Sequence, residues 1–244
     1  MVEVIKFASL LVAAYLLGSV PAAYLVAKWA RGIDIRQYGS GNVGASNVVR
    51  IVSKRWAIPV IIFDLGKGAV MVWAAQLLGL GIAEQVTVGL AAVVGHCWPV
   101  FLRFNGGRGA MTTIGVAFIL TPWLTLILVA VAFLFSPFRQ LALGTTVAMA
   151  ALSLCTWLLS QPFGIEEPLT LSLGFLAMFL ITVLRRLTAP RTSLSESISM
   201  GELVVNRLLF DRDIRSREAW ISRVPSEMES AEPPFRQQEK QAKS

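Results

Sequence analysis

Three polar segments interrupt an otherwise apolar chain, and each carries residue types suited to holding an anion. The first, Tyr38 to Arg50, reads YGSGNVGASNVVR. Gly39, Gly41 and Gly44 permit positive φ and let backbone N–H groups approach a ligand, while Ser40, Asn42, Ser46 and Asn47 add neutral hydrogen-bonding groups. A helix beginning near Ala45 would set Asn47 and Arg50 one turn apart on one face and aim its N-terminus at a phosphate. The pattern is neither a P-loop, which needs Gly-Lys-Ser or Gly-Lys-Thr, nor a dinucleotide fingerprint. The plainer alternative is a flexible turn joining two spans.

The second segment, Gly95 to Gly115, contains Asn105-Gly106-Gly107-Arg108-Gly109, a glycine-rich turn with its own guanidinium, followed by an apolar helix. Two such cradles imply two phosphate groups. His96, the sole histidine, stands ahead of this turn inside an apolar run. It is either a satisfied structural group or a working polar group at membrane depth. The third segment is Asp64-Leu65-Gly66-Lys67-Gly68, within another apolar run, where Asp64 and Lys67 at i,i+3 can neutralise one another. That pair fixes helix packing or touches substrate directly. Cys97, Cys155 and His96 are too few for a four-ligand zinc site, and both cysteines sit in apolar runs as packing residues.

The elements that position these residues belong in lipid. Apolar residues make up 55% of the 244 and charged residues only 15%, against about 25% charged in soluble domains. The net charge of +7 admits a nucleic-acid binder or a membrane protein with basic loops. No basic stripe with interleaved aromatics lies outside the loops that topology explains, so nucleic acid is set aside. Apolar runs fall at roughly 7–27, 57–82, 84–102, 110–135, 140–160 and 169–184. The first exceeds a signal-peptide core and reads as a retained span.

Lys28, Arg31, Arg36, Arg50, Lys54 and Arg55 oppose only Asp34 between the first two runs, which makes that loop cytoplasmic. One crossing per run would put Arg139 and Arg185-Arg186 outside and Glu166-Glu167 inside, against the charge rule. Splitting the overlong run 110–135 at Thr121-Pro122, where proline disfavours helix, restores every sign and gives seven helices. The expected architecture is therefore an all-α integral membrane protein with about seven transmembrane or half-membrane helices and glycine-rich cytoplasmic loops. The membrane-embedded domain covers 1–187. Residues 188–244 form a cytoplasmic polar tail, with an interfacial helix near 200–215 and disorder after Ser222.

Taken together, these residues resemble the bacterial acyl-phosphate:glycerol-3-phosphate acyltransferases, the PlsY family. The likeness is carried by GSVP at Gly18 to Pro21, GSGNVGASN with Arg50, Asp64 with Lys67-Gly68, and GHCWPVF followed by FNGGRG. It implies an enzyme of the bacterial plasma membrane, with a cytoplasmic active site. Such an enzyme moves a fatty acyl group from acyl phosphate to the 1-hydroxyl of sn-glycerol 3-phosphate, giving lysophosphatidic acid and phosphate. Acyl phosphate is already activated, so the reaction needs neither a covalent nucleophile nor a metal or other cofactor.

By this resemblance His96 and Ser40 are the catalytic candidates. Arg50, Arg108, Asn42, Asn47, Gly41, Gly44, Gly106, Gly107, Gly109 and Lys67 would bind substrate or shape its cradle. The implied partners are the two substrates and membrane lipids, with no obligatory protein. The His-x4-Asp acyltransferases offer no match, because Phe101 stands five residues after His96. The chain departs from the family in carrying Asn105 and Arg108 where lysines are common and Ser46 where Thr is usual. Its Arg185-Arg186 also lacks the histidine of the terminal motif. The nearest echo of that motif, Asn206-Arg207-Leu208, comes about 20 residues later. A transporter of phosphorylated metabolites and a non-catalytic relative are the alternatives, although no inverted repeat accompanies the intramembrane charges.

Overall fold

A computed structural model describes residues 1–224, and all the regular structure among them is helical. Helix α1 (Val2–Ser19) stops because Pro21 disfavours helix at Val20, whose φ of −64° and ψ of 115° are extended, and the chain restarts as α2 (Ala22–Arg31). The first apolar run is thus broken near its end rather than continuous. A glycine-rich loop and the short α3 (Ala45–Ile51) lead into α4 (Lys54–Leu77), whose N-cap Ser53 accepts from Trp56 N–H. Then come α5 (Ile82–Cys97), α6 (Ala110–Leu120), α7 (Pro122–Phe133), α8 (Leu141–Leu158), α9 (Pro168–Leu187), α10 (Met200–Phe210) and α11 (Arg217–Ile221).

Helix α9 shows how the sequence separates lipid from protein. Leu169, Leu173, Leu176, Leu180 and Leu184 form one stripe, each 40–56% exposed, while Leu171, Phe175, Met178, Thr182 and Arg185 form the buried stripe. Leucines left this open belong against hydrocarbon. Five segments, Val2–Arg31, Lys54–Leu77, Ile82–Leu102, Leu141–Leu158 and Pro168–Leu187, are long and apolar enough to cross a membrane. Helices α6 and α7, of 11 and 12 residues, are each too short to cross alone. The break between them falls at Thr121-Pro122, as the sequence predicts, and Pro122 begins the second helix.

The turn at Thr121-Pro122 shares a crevice with Ile82 and Glu166, whereas Arg139 and Gln140 line a cleft with Arg108 at the other end of the bundle. Helices α6 and α7 therefore run out and back. Helix α5 is central, packed against α1, α4, α6 and α9. Val86 and Val93 of α5 meet Val72, Val116, Phe175 and Met178 in the main core. Backbones come close where side chains vanish: a Cβ at Gly115 would overlap the Leu65 carbonyl, and one at Gly68 the Thr112 carbonyl. This small-residue contact locks α4 to α6.

The described part of the polar tail, up to residue 224, folds back onto the bundle. Helix α10 packs against α8 and α9, with Leu203 only 3% exposed, and ends at Asp211 in a left-handed conformation (φ 57°). Arg207 pairs with Asp213 at 2.7 Å and donates to the carbonyls of Leu187 and Ala189 at 2.7 Å each, capping the C-terminus of α9. Most of the segment read as disordered, residues 225–244, lies outside the described residues.

Candidate active site

Asn47 organises the first glycine-rich loop from beneath. Fully buried, it donates through Nδ2 to the carbonyls of Ile35, Tyr38 and Asn42 at 3.0–3.2 Å, and its Oδ1 accepts from Ser40 N–H at 3.2 Å. One amide thus satisfies four groups of a loop that has no regular backbone pairing. Gly41 takes a φ of 66°, which that turn requires and glycine supplies without strain. Asn42 N–H donates to Ser40 Oγ at 3.3 Å. Arg50, on the second turn of α3, is solvent-facing.

The second cradle is built around a buried charge cluster. Lys67 Nζ lies 2.9 Å from Asp64 Oδ1, 2.9 Å from the Gly18 carbonyl and 2.8 Å from His96 Nδ1. Pro21 explains why Gly18 and Val20 have carbonyls to offer, since α1 stops just there. His96 Nδ1 also lies 3.5 Å from Asp64 Oδ1, so the Asp64–Lys67 ion pair holds the ring from its Nδ1 side. The Asn105 to Gly109 turn folds over this ring: Gly106 N–H donates to Cys97 O and Gly107 N–H to His96 O. A Cβ at Gly107 would collide with His96 Nε2. Arg185 staples the same turn, donating to Asn105 Oδ1 at 2.6 Å, Gly106 O at 3.1 Å and Cys97 O at 3.0 Å.

Both cradles open into one cleft of about 380 Å³. Ser40, Asn42, Gly44, Arg50, His96, Arg108 and Gly109 line it, so the sequence candidates from the two loops and α5 converge. Asn47, Gly41, Gly106, Gly107 and Lys67 do not line it; they stand behind as the supports just described. Gly106 and Gly107 instead border a smaller void with Gly18, Pro21 and His96. Arg108 forms an ion pair with Asp211 and donates to its backbone carbonyl at 3.1 Å. Burial pushes the Arg108 guanidinium down to about 9, with repulsion from Arg186 and Arg185 adding to it and Asp213 opposing. Although Arg50 is exposed along part of its side chain, the cleft walls around its guanidinium, with the nearby Arg217 and Arg212, hold it below its usual value. Crowded cations of this kind make a strong anion site.

Sequence reasoning did not assign Arg139, Arg186, Asp211, Arg212 and Arg217 to the site, yet all five line the cleft. The positive-inside pattern had explained Arg139 and Arg186 as topology, and the other three belong to the tail. Asn206 is buried in α10 and donates to the Asp213 carbonyl at 3.0 Å, outside the cleft lining. Among the described residues no three His, Cys, Asp or Glu side chains converge to hold a metal.

The chain is similar to known proteins over most of its length. The family model for glycerol-3-phosphate acyltransferase matches residues 8–192. "Glycerol-3-phosphate acyltransferase 5" of Dehalococcoides mccartyi is 49% identical over 217 residues, covering 89% of this chain and 93% of that protein. "Glycerol-3-phosphate acyltransferase 4" from another strain of the species is 46% identical, covering 89% and 94%. The crystal structure of PlsY in its glycerol 3-phosphate form superposes with a TM-score of 0.68 at 29% identity, covering 86% of this chain and 96% of that one. Its lysophosphatidic acid form superposes with a TM-score of 0.67. With the family model matching residues 8–192 and relatives nearly half identical over 89% of its length, the chain belongs to the glycerol-3-phosphate acyltransferase family, PlsY, and is an integral membrane acyltransferase.

Proposed function

We propose that the protein transfers a fatty acyl group from acyl phosphate to the 1-hydroxyl of sn-glycerol 3-phosphate, at the cytoplasmic face of a bacterial plasma membrane. The observation that carries this reading is the convergence of Ser40, Arg50, His96 and Arg108 on one arginine-lined cleft at the basic end of the bundle. The same cleft has an apolar flank in Met111, Leu141, Leu143, Leu209 and Phe210, suited to the carbonyl end of an acyl chain. The solved PlsY relative has a glycerol 3-phosphate form and a lysophosphatidic acid form, which supports the same substrate and product here.

In the reaction the glycerol hydroxyl oxygen forms the ester bond to the acyl carbonyl carbon. The bond from that carbon to the phosphate oxygen breaks, and the hydroxyl proton leaves with inorganic phosphate. Arg50 and Arg108 hold phosphate charge, Ser40 orients the glycerol phosphate, and the loop backbone sets the approach. His96, held on its Nδ1 side by Lys67 and Asp64, acts by polar positioning near the hydroxyl. The 1–187 segment supplies the lipid-embedded scaffold and the tail closes the cleft from the aqueous side.

The test is purified protein with palmitoyl phosphate and glycerol 3-phosphate. Lysophosphatidate and phosphate should appear in equal amounts. If neither forms while the preparation binds glycerol 3-phosphate, the catalytic reading fails.

A further inference from the structure

Among the described residues, the arginines lining the cleft divide into those that meet a carboxylate and those that do not. Arg108 pairs with Asp211, and Arg186 approaches the same carboxylate at 3.5 Å. Arg50, Arg139, Arg212 and Arg217 also line the cleft, and no carboxylate pairs with any of the four among the described residues; of these, Arg50, Arg212 and Arg217 lie near enough to repel one another. Arg212 donates to the Arg215 carbonyl at 3.2 Å and its guanidinium lies 5.0 Å from the centre of the Phe210 ring, so it is oriented but not neutralised. Mutual repulsion among these three already weighs on Arg50. Three facing guanidinia without an acid are costly unless an anion joins them.

The segment carrying them is fixed, which makes the juxtaposition specific. Asp213 is 2% exposed and clasped by Arg207, Trp220 is 1% exposed, and Arg223 reaches the first glycine loop. Arg223 Nε donates to Gly39 O at 2.9 Å, its NH2 to Arg36 O at 3.2 Å, and Gly39 N–H returns a bond to Arg223 O at 2.9 Å. These anchors lie on both sides of Arg217 and hold it across from Arg50. The whole segment lies beyond residue 192, where the family match ends.

We propose that Arg212 and Arg217 join Arg50 to form the phosphate-binding subsite for glycerol 3-phosphate, so that the C-terminal segment supplies part of the acceptor site. This rests on the acyltransferase reading for its substrate, but not for its geometry. A planar guanidinium grips a phosphate monoester dianion with two parallel hydrogen bonds, which neither a lysine nor a neutral donor reproduces.

The experiment uses the full-length protein in lipid nanodiscs, with Arg212→Ala, Arg217→Ala, the double variant and Arg217→Lys. Arg215→Ala, which removes an exposed side chain of the same segment outside the cleft, is the control. The KM for each substrate is measured at saturating levels of the other, and glycerol 3-phosphate binding is measured by calorimetry without acyl donor. Each single alanine should raise the KM and the calorimetric Kd for glycerol 3-phosphate about 10-fold, and the pair about 100-fold. The KM for palmitoyl phosphate and kcat should stay within about 2-fold, with Arg217→Lys intermediate. An unchanged KM and Kd for glycerol 3-phosphate overturns the subsite, as does a rise confined to palmitoyl phosphate or a fall in kcat alone. If the wild type makes no lysophosphatidate, the acyltransferase reading fails, and calorimetry alone then decides the subsite.

Discussion

At the scale of single residues, burial decides which charges work and which hold. Asp64 and Lys67 are 2% and 3% exposed, and Lys67 spends its three hydrogens on Asp64, His96 and a backbone carbonyl. Removing one partner of such a pair leaves the other buried and unpaired, which costs about 3–5 kcal/mol. Lys67→Met should therefore lower the thermal midpoint of the purified protein sharply. Adding Asp64→Asn should recover much of that loss, and a double variant no better than Lys67→Met would show that the pair is not coupled. Gly107→Ala tests the neighbouring contact: the new methyl displaces His96 Nε2, so kcat should fall at least 10-fold while the chain still inserts. Arg50 has no carboxylate partner among the described residues, so Arg50→Ala should leave the fold intact and remove about 2–3 kcal/mol of phosphate binding, or roughly 30- to 150-fold in kcat/KM. Most of these residues were legible as types in a pattern, because a charge inside an apolar run is visible without a structure. The three-way contact was not, since i,i+3 spacing predicts the Asp64–Lys67 pair while His96 arrives from another helix.

At the scale of elements, two prolines set the architecture in different ways. Pro122 was legible because run 110–135 was too long for one helix and its single crossing inverted the later charges. Pro21 interrupts a run of ordinary length, so hydropathy gave no reason to break it. Yet its effect reaches the site, because the carbonyls exposed at the end of α1 receive Lys67. The out-and-back path of α6 and α7 carries its own prediction. A single cysteine at Glu166, in a background with Cys97 and Cys155 replaced by alanine, should react in intact cells with a membrane-impermeant maleimide, and one at Arg139 only after permeabilisation. Labelling with the reverse pattern would place the cleft on the outer side of the membrane and end the cytoplasmic assignment.

At the scale of the whole molecule, the polarity is one-sided. The buried ionised residues Asp64, Lys67, Arg185, Arg186, Arg207 and Asp213, with His96, gather around the cleft or just behind it. The opposite end buries neutral groups such as Gln85, Thr121 and Thr125. That asymmetry fits chemistry at one surface better than passage through the bilayer. What no local pattern could reveal is the closure by the tail. Arg108 meets Asp211 across 103 positions, and Arg223 meets Gly39 across 184. Neither partner carries a signature that names the other. The closure has a measurable consequence. A chain ending at Thr192 retains α1 to α9 but loses Asp211, the Arg207 cap on α9 and the Arg223 bonds to the first loop. Its helices should still form, because α1 to α9 build their cores from one another, so far-UV circular dichroism should show only the loss of the tail's own turns. Its first glycine loop should loosen, and trypsin should cut after Arg36 faster than in the full chain. Its kcat/KM should fall about 100-fold or more, the equivalent of about 2.7 kcal/mol in transition-state stabilisation. Full activity in the shortened chain would mean that the nine preceding helices complete the site unaided.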